Sequence, residues 1–94
     1  MRFKVTREDI DSGICQDAEQ CAIAKMLKRT LGVSHAYVED ACNIVVNRDQ
    51  VLKVDDIRAV NRFIYTFDER RQDCNEFEFE GELEDKEPNN EPSW

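Results

Sequence analysis

The chain has 94 residues and a mass of 11.0 kDa, the size of one small domain, and its 13 Lys and Arg against 21 Asp and Glu leave a net charge of -8. No apolar run nears the roughly 20 residues of a membrane-spanning helix, and Met1-Arg2-Phe3-Lys4-Val5-Thr6 lacks the apolar stretch of a secretory signal, so neither class is expected. So acidic a chain repels phosphate, which argues against direct nucleic-acid binding.

Phe3 and Val5 alternate with Arg2, Lys4 and Thr6, the period of a half-buried strand. Thr6 then caps a single turn, Arg7 to Ile10, closed by Ser12-Gly13. Asp17 with Gln20 three residues later has the form of a helix start. Ile23, Leu27 and Leu31 follow at helical spacing, and Gly32 stands at the C-terminal cap, so a helix is expected over about Ala18 to Leu31. Ser34 to Val38 and Asn43 to Asn47 read as a β-hairpin joined by Glu39-Asp40-Ala41-Cys42, and Val51 to Val54 as a further short strand. Asp55 or Asp56 caps a second helix whose apolar stripe is Ile57, Val60, Ile64 and Phe67, widened by Phe63 and Tyr65. Asp68 to Asp73 has no periodicity and reads as a loop.

The last element is the most regular. Phe77, Phe79 and Leu83 take odd positions, while Glu76, Glu78, Glu80, Glu82 and Glu84 take every even one, with Gly81 marking a bulge or bend. The order β-α-β-β-(β)-α-β gives a two-layer α+β domain over residues 1–84, with two helices on one face of a mostly antiparallel sheet. Residues 85–94 form an acidic tail that cannot bury apolar surface before Trp94, and disorder is expected there. The expected core is Phe3, Val5, Ile23, Leu27, Leu31, Val38, Val45, Ile57, Val60, Ile64, Phe67, Phe77 and Phe79. A core of that size stabilises such a domain only marginally, which leaves room for a homodimer.

Chemistry is sparse. Cys15, Cys21, Cys42 and Cys74 have five, twenty and thirty-one residues between them and form no close pair of zinc ligands, so four reduced thiols are expected and no metal. His35 is alone, and no local signature joins it to a cysteine nucleophile. Three unclustered glycines make no phosphate-cradling loop. Carboxylates alternating on an exposed strand lack the buried, raised-pKa member that hydrolase acids need. Neither an enzyme nor a cofactor is expected.

The acidity is uneven. Residues 1–74 hold twelve basic and thirteen acidic side chains, whereas residues 75–94 hold eight acidic ones and only Lys86. Same-face carboxylates on a strand sit about 6.7 Å apart, so the five glutamates draw an anionic line of about 27 Å. That is half the charge density of a DNA strand, which has one charge per ~3.4 Å. Supported by Asp85 and Glu87, the line can dock on a basic groove and compete there with nucleic acid. Equally, it keeps an open sheet face soluble, and Arg2 and Lys4 neutralise it if the first strand pairs beside the last. A third use, capture of a small signalling ligand by an oligomer, needs a basic or aromatic pocket from Arg62, Tyr65, Arg70 and Arg71.

Val5-Thr6-Arg7-Glu8-Asp9-Ile10, Ser12-Gly13 and Cys21-Ala22-Ile23-Ala24 resemble the opening of many short bacteriophage-encoded proteins. Val60 to Asp68 and the closing Phe77-Glu78-Phe79 are similar to their later segments, and Ala22 departs from the proline usual there. The resemblance implies a phage setting, hence the cytoplasm of the infected bacterial host, and assigns no catalytic residue. Together with the acidity, it leads to the expectation of an accessory protein that binds a basic host protein, such as an anti-CRISPR-like counter-defence inhibitor. The alternative is a self-associating structural or regulatory phage module.

Overall fold

A computed structural model describes residues 1–85. Within them the chain forms three α-helices and five strands in the order β1 (Arg2–Val5), α1 (Arg7–Ser12), α2 (Ala22–Leu31), β2 (Ala36–Asp40), β3 (Asn43–Val46), β4 (Gln50–Val54), α3 (Ile57–Glu69) and β5 (Phe77–Asp85). All strand pairs are antiparallel and the sheet order is β1-β5-β4-β3-β2. This is the α+β class expected, with the core between the helices and one face of the sheet. Asp85, expected to open the disordered tail, is instead the last residue of β5, opposite Gln50, while Glu87, Trp94 and the disorder expected of residues 86–94 lie outside the described residues.

Thr6 caps α1 through a reciprocal pair: its hydroxyl accepts from the Asp9 N–H, and the Asp9 carboxylate accepts from the Thr6 N–H. Gly32 closes α2 at φ +67, donating its N–H to the Lys28 carbonyl. Asp56, rather than Asp55, caps α3 by accepting from the Ala59 N–H at 3.0 Å.

Several expectations change. Helix α2 starts at Ala22, not Ala18, because the preceding backbone is used elsewhere. Asp17 Oδ1 accepts from the N–H groups of Glu19 and Gln20, the Ala18 carbonyl accepts from Val38 N–H on β2, and the Gln20 carbonyl accepts from Ile14 N–H. Helix α3 runs on through Glu69, and a 3-10 turn over Arg71–Asp73 replaces the rest of the expected loop. Its buried stripe is Val60, Phe63 and Phe67, whereas Ile57 and Tyr65 are exposed. On β3 the inward residues are Ile44 and Val46, while Val45 is half-buried opposite Tyr37 on the outer face. Leu31, Ile64, Phe77 and Leu83 border the core without being fully buried. Phe77 stacks on Phe63 at 5.0 Å between ring centroids, which ties β5 to α3.

Strand β5 changes partner along its length. Phe77–Glu80 pair with β1 and Gly81–Asp85 with β4. At the turnover, the Glu80 carbonyl accepts from Asp55 N–H and Gly81 N–H donates to the Met1 carbonyl.

Candidate interaction surface

The pleat of β5 sends Glu78, Glu80, Glu82 and Glu84 to the face opposite Phe79 and Leu83, with Glu76 just before the strand. Beside them lies β1, in the register Arg2 opposite Glu80 and Lys4 opposite Glu78. Arg2 therefore bridges Glu78 at 2.8 Å and Glu80 at 3.0 Å, and Lys4 Nζ lies 3.8 Å from Glu76. The Arg7 N–H donates to Glu76 at 2.9 Å, and the Met1 amino group lies 3.5 Å from Glu82. These are exposed pairs and add little to stability. Their effect is on the field: Glu76, Glu78 and Glu80 are matched by side-chain cations and Glu82 by the Met1 amino group. Glu84 and Asp85 join no ion pair among the described residues, facing Val51 and Gln50 across the ladder.

The same outer face carries an apolar row. Tyr37 opposes Val45, Val45 opposes Val51, and Val51 opposes Glu84, so three apolar side chains lead straight to the last glutamate of the acid line. Tyr37 is 43% exposed.

The two arginines of the expected secondary site separate. Arg70 pairs with Asp73 at 3.1 Å. Arg71 donates to the Ile10 and Gly13 carbonyls at the end of α1 and lies over the Phe67 ring, so it clamps α1 to α3 and is not offered to a ligand. Arg62 lines a shallow groove with Phe63 and Phe77 that includes neither Arg70 nor Arg71, and Tyr65 is not part of it. The basic pocket imagined for a small signalling ligand is not assembled from these residues.

All four cysteines are free thiols. Cys21 and Cys74 are buried, Cys15 donates to the Phe67 carbonyl, and Cys42 is exposed. Burial pushes the thiols of Cys21 and Cys74 up, so both stay protonated and uncharged. His35 is exposed, with its Nε2 3.3 Å from Arg48 Nη2. Among the described residues no three His, Cys, Asp or Glu side chains gather in a way that would hold a metal ion. No helix there is long and apolar enough to cross a membrane.

Sequence reasoning missed a concavity. Between the 16–18 turn, the start of α2, β2 and α3 lies a cavity of about 190 Å³. Ile23, Val38, Phe63 and Phe67 contribute to its apolar lining, and Asp17, Glu39 and Asp68 its acidic one. The acids come from three separate parts of the chain, so no local motif announces them. Glu39 is placed by an irregularity in the β2–β3 register between Val38 and Asp40, a device that re-aims strand side chains. Asp68 accepts from the Gln16 N–H at 2.8 Å, holding Gln16 at φ +61.

No protein-family model, curated protein or solved structure matches the chain.

Proposed function

We propose that this is a non-enzymatic bacteriophage accessory protein that acts in the host cytoplasm by binding a host protein with a basic surface. Its most concrete form is a counter-defence, anti-CRISPR-like inhibitor that occupies a nucleic-acid-binding channel. The observation that carries the reading is the outer face of the sheet, where Glu84, in no ion pair among the described residues, adjoins a row made by the exposed Tyr37 and the half-buried Val45 and Val51. Acid gives attraction and register toward a basic groove, and an aromatic with two valines gives a desolvated anchor beside it.

The test is a binding titration between the full chain and a basic nucleic-acid-binding host protein captured by it, run across ionic strength. Affinity should fall with salt, and nucleic acid should displace the protein. Because Glu78 and Glu80 share Arg2 at 2.8 and 3.0 Å, while Glu82 has the Met1 amino group at 3.5 Å and Glu84 no ion pair among the described residues, Glu82→Lys with Glu84→Lys should weaken binding more than Glu78→Lys with Glu80→Lys. Salt-insensitive binding, or equal loss from both pairs, would refute the electrostatic reading.

The apolar row also favours a second reading, a self-associating phage module built on the sheet face. The β2 edge is a poorer interface, since Val38 N–H is already taken by Ala18. Light scattering separates the two: a dimer lost with Tyr37→Lys but kept in high salt supports self-association.

A further inference from the structure

We propose that the cavity between α2, α3 and β2 is a receptor for one lysine or arginine side chain of the partner, and this rests on the binding role above. The occupant follows from the walls. A basic side chain is a flexible apolar stem ending in a charge, and the cavity is apolar within and acidic around it. Ile23, Val38 and Phe67 would take the stem, while Asp17, Glu39 and Asp68 would face the cationic head. None of the three carboxylates joins an ion pair among the described residues. Asp17 and Asp68 each accept backbone N–H groups through Oδ1, which fixes the carboxylate and leaves Oδ2 for a ligand.

The enclosure also matters. On an open face a Lys–Glu pair is hydrated and weak. Inside a cavity whose walls include the buried Phe67 and the uncharged Cys21 thiol, the same attraction is less screened. The structure thus offers two contacts of different kinds. The outer sheet face attracts a basic surface broadly, and the cavity selects a single protruding cation.

The probe is arginine blocked as N-acetyl and methylamide, titrated into the isotope-labelled full chain and followed by amide chemical shifts. Saturable shifts are expected at Ala18, Ile23, Val38 and Ile64, with a Kd on the order of 1 mM, the range of a single small contact. Asp17→Asn, Glu39→Gln and Asp68→Asn together keep the Oδ1 acceptors that hold the turns, and should weaken binding about tenfold, equivalent to about 1.4 kcal/mol. Glu39→Gln alone, at an exposed strand position, should weaken it severalfold and guards against misfolding of the triple variant. Shifts centred on Glu82–Asp85, or unchanged by these variants, would overturn the proposal. Spermidine saturating the same amides more tightly than the arginine probe would also overturn it, assigning the cavity to a free polyamine. In the partner titration, a triple variant that binds as well as the parent refutes the cavity but leaves the sheet-face role standing. Arginine binding in a chain that captures no basic partner refutes the role and leaves the cavity.

Discussion

Asp9 is the one buried charged side chain among the described residues, at 4% exposure, and it joins three elements. It accepts from Thr6 N–H and Oγ1 and from Arg29 of α2 at 2.6 Å, while Arg29 also donates to the Lys4 carbonyl of β1. Burial alone would raise its carboxyl pKa, but the bonds from Arg29 and Thr6 outweigh that and hold it below the ordinary value. A carboxyl whose pKa falls on folding lends stability that is complete above the unfolded value, about 3.9, and is lost as pH drops through the folded one. Asp9→Asn should therefore cost about 2 kcal/mol in urea denaturation at neutral pH, the scale of hydrogen bonds to a charged group. The gap to the parent should narrow as pH falls below the ordinary carboxylate range, where the parent's own Asp9 gains its proton. A gap independent of pH would mean that shape, not charge, holds the joint. Thr6 was legible as a cap from its place before an acidic turn. Arg29 was not, since only the tertiary fold brings it to a residue twenty positions away.

At the scale of elements, β5 decides the sheet, and Gly81 decides β5. It is buried where the strand passes from β1 to β4, and an added Cβ would stand 3.0 Å from the Lys53 carbonyl oxygen and 3.1 Å from Leu52 Cδ1. Backbone cannot retreat as a side-chain tip can, so Gly81→Ala should destabilise by about 1–3 kcal/mol, the range of an overpacked core. Gly32→Ala is the contrast: its Cβ meets nothing, and only the left-handed φ of +67 opposes it, at about 1 kcal/mol. Urea midpoints of the two variants rank the effects, and the reverse order would show that β5 can shift at Gly81. The alternation of Phe and Glu made this strand readable from local pattern alone. The start of α2 was not readable, because Asp17 offers a cap whose turn is instead pinned by β2. Val45 misled for a related reason. In Ile44-Val45-Val46 all three residues are apolar, so composition cannot say which parity faces the helices.

For the whole molecule the question is how an acidic chain keeps a line of glutamates on one strand. The strand order answers it: β1, the most basic strand, lies beside the first half of β5. The sequence contained both halves of that arrangement, but their pairing depends on β1 crossing to the far edge of the sheet, which no local pattern specifies. The cavity acids are a stronger case, since Asp17, Glu39 and Asp68 meet only through the packing of three elements. If the pairing of β1 with β5 is what makes the acid line tolerable, removing its cations should matter most where charge is least screened. Arg2→Gln with Lys4→Gln leaves the ladder hydrogen bonds intact and strips the partners of Glu76, Glu78 and Glu80. The double variant should melt below the parent in low salt. The difference should close near 1 M salt, where the Debye length is about 3 Å and like charges some 6.7 Å apart no longer repel. A deficit that persists in high salt would place the role of Arg2 and Lys4 in the packing of their aliphatic stems across the β5 face. In that case the glutamates would tolerate one another unaided, and the whole line, rather than its Glu82–Glu84 end, would be open to a basic partner.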